Sequence, residues 1–67
     1  MEKFPQRLQE VLDSKNITQG DLAIKIKMSR AAINSYCVGR RIPPLDVFYK
    51  ICKELNEDPS YLLGIVD

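Results

Sequence analysis

The stretch from residue 18 to residue 43, TQGDLAIKIKMSRAAINSYCVGRRIP, constrains the fold of this chain more than any other segment. Thr18 is followed three residues later by Asp21, and such a pair can exchange hydrogen bonds at the start of a helix. Ser29 is a second potential cap, and apolar residues follow it at helical spacing. The pattern predicts two short helices joined by a tight turn, at about Gln19–Ile26 and Arg30–Cys37.

Apolar residues recur at helical spacing on both sides of this stretch, which predicts three further helices. Pro5 suits the first turn of one helix, and Pro59 suits the first turn of another. The three helices are expected at about residues 4–15, at about Leu45–Leu55, and in a short segment between Asp58 and Gly64. No segment resembles a strand or a repeat. We therefore expect an all-α, compact five-helix fold, with one domain over residues 1–67 and its core at about 6–64.

Composition limits the classes of function that fit the chain. With 67 residues and 45% apolar content, the chain can form one small packed domain. No apolar run approaches the roughly 20 residues that span a membrane, and the amino terminus lacks a secretory signal, which favours the cytoplasm. The two cysteines, Cys37 and Cys52, are expected to be buried and reduced, with a disulfide as the alternative. Without histidine or a nucleophile–base pair, neither an enzyme nor a metal, cofactor or small-molecule site is expected.

Basic residues are concentrated in the central part of the chain. From Leu22 to Leu45 there are five basic residues and no acidic one, whereas the remainder carries five basic and nine acidic residues, a net of −4. Such an asymmetry attracts and orients a polyanion. The exposed side of the second central helix is predicted to carry short or hydrogen-bonding side chains beside one cation, as suits a helix in a DNA major groove. The alternative is uneven charge on solvated faces.

The chain resembles the Cro and phage-repressor (Xre-type) helix-turn-helix family, whose domains look like the amino-terminal domain of lambda repressor. The resemblance covers about Gln6–Gly64. It rests on Leu8, Thr18, Gln19, Leu22, Ala23, Ser29, Ile33, Gly39, Arg40, Pro43 and the closing DPSYLLG. It implies a lambda-repressor-like domain that binds double-stranded DNA.

The resemblance also implies roles for individual residues. The positions that read bases in the family fall on Ser29, Arg30, Ala31, Asn34 and Ser35. The positions that contact phosphates fall on Thr18, Gln19, Lys27, Arg40 and Arg41. Arg30 has the paired donors that suit guanine, whereas its alternative is a solvated residue at a helix start. Ser29 is explained as well by capping as by base reading.

The chain departs from the family pattern at the turn between the two central helices, at an ion pair, and at Glu57, where relatives often carry an apolar residue. Relatives often have glycine at the turn between the two central helices, where this chain has Lys27, so a positive φ there would carry strain. Relatives also pair an arginine of the first helix with a glutamate late in the third, at positions that correspond to Leu12 and Cys37. Because both members of that ion pair are replaced by apolar groups together, we expect these two side chains to touch.

The function expected from these observations is sequence-specific DNA binding by a bacterial or phage transcriptional repressor. Two copies would bind a two-fold operator, because one such domain covers only one half-site. An apolar patch near the carboxy terminus is expected to form the homodimer contact, through Tyr61, Leu62, Ile65 and Val66. The alternative for this patch is that it caps the domain's own core. The alternative function is a protein-binding module, such as an antitoxin or an adaptor, with the same fold.

Overall fold

Five α-helices form the fold in the computed structural model, which describes residues 2–67. They are α1 (Phe4–Ser14), α2 (Gln19–Ile26), α3 (Arg30–Cys37), α4 (Leu45–Leu55) and α5 (Pro59–Leu63). No strand occurs within residues 2–67. The all-α class and the order of five helices are therefore confirmed, and each predicted boundary lies within one residue of the observed one.

Short polar side chains start three of the helices, as the sequence predicts. At α2, the backbone N–H of Asp21 donates to Thr18 Oγ1 over 3.0 Å, and the backbone N–H of Thr18 donates to Asp21 Oδ2 over 3.1 Å. At α3, the N–H of Ala32 donates to Ser29 Oγ over 3.1 Å. At α5, Asp58 Oδ1 accepts from a backbone N–H of the first turn. These bonds satisfy donors that a helix start otherwise leaves free.

Residues in the left-handed conformation end several helices. Asn16, Lys27 and Asn56 have φ values of 57°, 59° and 51°. Asparagine tolerates this region because its side chain can bond locally, whereas lysine has no such compensation. Lys27 thus keeps the backbone that its relatives form with glycine, and the strain expected at this turn is present.

Side chains from all five helices meet in one core. Its members are Phe4, Leu8, Val11, Leu12, Leu22, Ala23, Ile26, Ile33, Tyr36, Cys37, Phe48, Ile51, Cys52, Leu55 and Leu62. Helix α3 packs against both α1 and α2, while α4 packs against α2 and α5 against α1. Leu12 and Cys37 belong to this core, as the paired replacement requires. Their direct contact stays a prediction.

The carboxy-terminal segment is fastened to α1 by Arg7. The Arg7 guanidinium donates to the carbonyl oxygens of Tyr61 and Val66, each over 2.6 Å, and lies 4.4 Å from the centre of the Tyr61 ring. Leu62 is 0% exposed, so its assignment to a dimer contact is wrong. It faces inward because α5 packs on α1 and buries its central leucine. Of the predicted patch, only Ile65 and Val66 remain exposed.

Candidate nucleic-acid interface

The amino-terminal end of α3 is an exposed part of the helix-turn-helix. Ser29, Arg30 and Ala31 are consecutive and all exposed. The Arg30 stem lies over the start of α2, since its Cδ is 3.9 Å from the place where a Cβ on Gly20 would stand. The first turns of α2 and α3 are therefore neighbours, and the free N–H groups of both favour a bound anion. Within residues 2–67, no carboxylate forms a salt bridge with Arg30.

A chain of amide hydrogen bonds orients Asn34, which is half-buried. Asn34 Nδ2 donates to Gln19 Oε1 over 3.1 Å, and Gln19 Nε2 donates to Gln9 Oε1 over 2.9 Å. Gln9 Nε2 in turn donates to Asp13 Oδ1 over 2.8 Å. This series of hydrogen bonds links α3, α2 and α1. It therefore holds Asn34 in one orientation, and the side-chain oxygen of Asn34 can still accept a hydrogen bond. The Gln19 amide also forms a hydrogen bond with the Cys37 thiol, so it connects three side chains at the junction of the helices.

Gln9 belongs to this series of amide hydrogen bonds, although the sequence pattern did not indicate it as a functional residue. The only signal for it is its place on α1 beside the buried Leu8, which puts a polar amide at the edge of an apolar stripe. Its partner on α2 is ten residues away in the sequence, and only the packing of the helices brings the two amides together.

Ser35 corrects the prediction of an exposed base reader. Its side chain is only 9% exposed, so the placement on the outer side of α3 is wrong. Because α3 is packed on two sides, against α1 and α2, its second turn has little free surface. The Ser35 carbonyl accepts from the backbone N–H groups of Arg40 over 2.9 Å and Arg41 over 3.2 Å. The Ser35 carbonyl therefore connects the last turn of α3, which ends at Cys37, to the start of the next loop.

The loop between α3 and α4 presents two exposed arginines, Arg40 and Arg41. The guanidinium of Arg41 lies 5.9 Å from the centre of the Tyr36 ring, near enough for a weak cation–π contact. Arg40 forms no salt bridge to any residue that the structure describes. The backbone of both arginines is thus fixed by hydrogen bonds to α3, while their guanidinium groups remain free to bind an anion.

Thr18 and Lys27 are also exposed, at the start and at the end of α2. The Thr18 hydroxyl accepts the capping bond, so its own proton can still be donated outward. Asp21, its capping partner, places a carboxylate close by, which weakens any phosphate contact at this position. Lys27 stands at the turn before α3 and carries its charge outward.

The basic surface extends beyond the segment that the sequence singled out. Lys25 and Lys27 meet Lys50 and Lys53 of α4 around an open cavity of about 310 Å³, with Tyr49 and Glu54 also in its lining. None of these four lysines forms a salt bridge within residues 2–67. The first two lie in the basic segment from Leu22 to Leu45, whereas the second two lie outside it, and only the packing of α2 on α4 brings all four together.

Both cysteines are buried and free. Burial raises the pKa of Cys37 to about 11, the Asp13 carboxylate adds to the rise, and a hydrogen bond with Gln19 opposes it. Burial also raises the pKa of Cys52, with smaller contributions from Asp58 and Glu57. The thiols are therefore protonated near neutral pH and poor nucleophiles. In the described part of the chain, no group of three or more potential ligands could hold a metal ion.

Comparisons with known proteins agree with this geometry. Residues 8–62, most of the chain, match the helix-turn-helix family. The chain therefore belongs to the Cro/C1-type, Xre-like helix-turn-helix family, a class of DNA-binding domains. Comparison with curated proteins and with solved structures gave no significant match. Of the helices described over residues 2–67, none is long and apolar enough to cross a membrane.

Proposed function

We propose that this protein is a sequence-specific transcriptional regulator that represses by occupying a two-fold operator as a pair of copies. The exposed first turn of α3 is the observation that carries the proposal. It sets Arg30 and Ala31 outermost, and the free cations Arg40 and Arg41 follow at the other end of the helix. A regulator of this kind works beside the bacterial or phage DNA, so we place it in the cytoplasm.

The proposed base readers differ in what each side chain can recognise. Arg30 offers two parallel donors for guanine O6 and N7, a contact worth about 1–3 kcal/mol of discrimination. Ala31 presents a methyl group that suits the methyl of thymine. Asn34 adds one acceptor in an orientation set by Gln19. Ser29 acts first as the helix cap and offers only its hydroxyl proton.

The proposed phosphate contacts surround these readers. Arg40, Arg41 and Lys27 supply charge, while Thr18 and Gln19 supply neutral donors beside the amino end of α2. Contacts of this kind set affinity and register on the duplex and carry little sequence information. Neutralised phosphates release counterions, so binding must weaken steeply as salt rises.

Selection of bound duplexes from a random pool, repeated at two salt concentrations, tests the proposal. We expect an enriched motif with two related half-sites about one helical turn apart. Arg30→Ala should change the enriched motif, whereas the control Lys15→Ala, which removes an exposed cation that is not among the proposed contacts, should not. A protein-binding module such as an antitoxin or adaptor would instead show weak binding with a shallow salt dependence and no enriched motif, and that result would refute the proposed function.

A further inference from the structure

One face of α4 is apolar and has no partner within residues 2–67. Leu45 is 82% exposed and Tyr49 is 60% exposed, although both are large apolar side chains. With Phe48, Cys52 and Pro59 they line an open groove of about 620 Å³. Leu45 and Tyr49 are four residues apart, so they form one exposed stripe along the helix, and the largely buried Cys52 lines the groove beside them. A stripe of this kind marks an interaction surface.

Two opposite charges flank the same side of this stripe. Asp46 stands in the first turn of α4 and Lys53 in the last turn. They are seven residues, or about two helical turns, apart, so both lie beside the same edge of the stripe. The Lys53 ammonium lies 5.6 Å from the centre of the Tyr49 ring, which keeps the charge beside the stripe.

We propose that a second copy of this chain docks on the α4 face, with the two α4 helices antiparallel about a two-fold axis near Tyr49. In an antiparallel two-fold pair, positions at about equal distances on either side of the axis oppose each other across the seam. Asp46 then meets the partner's Lys53, and Lys53 meets the partner's Asp46. Leu45 lies over the partner's groove, whose lining includes the largely buried Cys52, while the two Tyr49 rings lie side by side at the axis. This inference rests on the proposed function, and the α4 contact supplies the pairing of two copies that a two-fold operator requires.

The charges of the chain favour a second copy as the occupant, and they also determine its direction. The antiparallel pairing sets opposite charges together at both ends of the seam, whereas in a parallel pair the charges of the two copies would lie on opposite flanks of the seam and would not meet. The face is one helix of 11 residues, about 16 Å long, with two large exposed apolar side chains, so we expect it to bury less than the roughly 800 Å² per partner of a standard interface. The free pair is therefore weak and forms mainly on DNA, where two half-sites bring the copies together.

Sedimentation velocity over a range of protein concentrations tests the docking surface. Tyr49→Glu places two carboxylates at the axis and should raise the dissociation constant of the pair at least about ten-fold. Ile65→Glu is the matched control, because it adds the same charge to an exposed apolar residue of the carboxy-terminal patch. Loss of the pair with Ile65→Glu but not with Tyr49→Glu would overturn the proposal. So would a wild-type protein that stays monomeric both alone and on a duplex with two half-sites.

A charge exchange tests the antiparallel register. Asp46→Lys or Lys53→Asp alone should weaken the pair about ten-fold, because two attractions become two repulsions. The double variant Asp46→Lys/Lys53→Asp should restore the pair. Each exchange also places a charge at the less favourable end of α4, so thermal unfolding is followed for every variant. Glu10→Lys, an equal charge change on α1, should have no effect. Folded single variants that pair normally, or a folded double variant that remains as weak as the singles, would contradict the register.

Binding to a duplex with one half-site separates this inference from the proposed function. Leu45→Glu, which alters the α4 face without touching the four-lysine cavity, should bind one half-site like the wild type and lose only the cooperative gain on two half-sites. If the wild type fails on a single half-site, the proposed function fails, while sedimentation still decides whether the α4 faces pair.

Discussion

Lys27→Gly should make the protein more stable, because the turn between α2 and α3 has a conformation that glycine adopts without strain. Lys27 has φ 59° and ψ 49° and stands where the left-handed region costs a residue with a Cβ about 1–2 kcal/mol. Its side chain is exposed and forms no salt bridge within residues 2–67, so its removal should cost little. Glycine in turn adds about 0.4–1 kcal/mol of conformational freedom to the unfolded chain.

The net gain in the free energy of unfolding is therefore about 0.5–1 kcal/mol. For a domain of this size it corresponds to a rise in Tm of about 3–6 °C. Thermal and urea unfolding followed by circular dichroism would measure it. Lys27→Ala is the control, because it removes the same charge and keeps the Cβ. Lys27→Asn should fall between the two, since Asn16 and Asn56 adopt the same conformation at other helix ends.

The reasoning is refuted if Lys27→Gly proves no more stable than Lys27→Ala. The two variants also separate backbone strain from DNA contact. If Lys27 meets a phosphate, both should reduce the salt dependence of duplex binding by about one counterion, regardless of their difference in stability.

Three further outcomes are expected. Arg30→Ala should relax base preference at one operator position by about 1–3 kcal/mol. Arg40→Ala should weaken binding to all duplexes similarly and lower the slope of affinity against salt by about 1. Equal losses of affinity on every sequence for both variants would contradict these separate roles. Gly20→Ala should stabilise α2 by about 0.5–1 kcal/mol in urea unfolding, because the nearest atoms, at 3.8 and 3.9 Å, leave room for a methyl group; a loss of stability would show that the Arg30 stem needs the space. The pKa of Cys37 is raised to about 11 in the folded protein, so above the ordinary thiol pKa of about 8.5 the unfolded chain loses this proton first. The contribution of Cys37 to the free energy of unfolding should therefore be complete below about pH 8.5 and be lost as the pH rises from there towards 11. The urea midpoint should therefore fall over that range less in Cys37→Ala than in the wild type, and an equal fall would refute the assignment.

Most of the fold could be predicted because its signals are local. The Thr18–Asp21 pair and the Ser29 cap act within a single turn, so they determine helix starts wherever the helices later pack. The apolar spacing of α1 and α4 likewise depends on helix geometry alone. The family resemblance then predicted which end of α3 is exposed, and Arg30 and Ala31 are exposed as expected.

The predictions that were wrong, for Ser35 and Leu62, concern residues whose exposure depends on the packing of two helices. On α3 alone, Ser35 lies near the outer side, but packing of α3 against both α1 and α2 covers it. Leu62 belongs to an apolar run that could face either way, and the packing of α5 on α1 turned it inward. Periodicity identifies a face of a helix, whereas burial depends on what lies opposite that face.

By itself, the sequence determined where the helices begin and end, the all-α class and the concentration of basic residues around the helix-turn-helix. These properties depend on hydrogen bonds and side-chain spacing within a few residues. Only the tertiary structure decided which side chains support the candidate interface. The link from Asn34 through Gln19 to Gln9 and the four-lysine cavity join residues far apart in the chain, and such contacts exist only once the helices have packed.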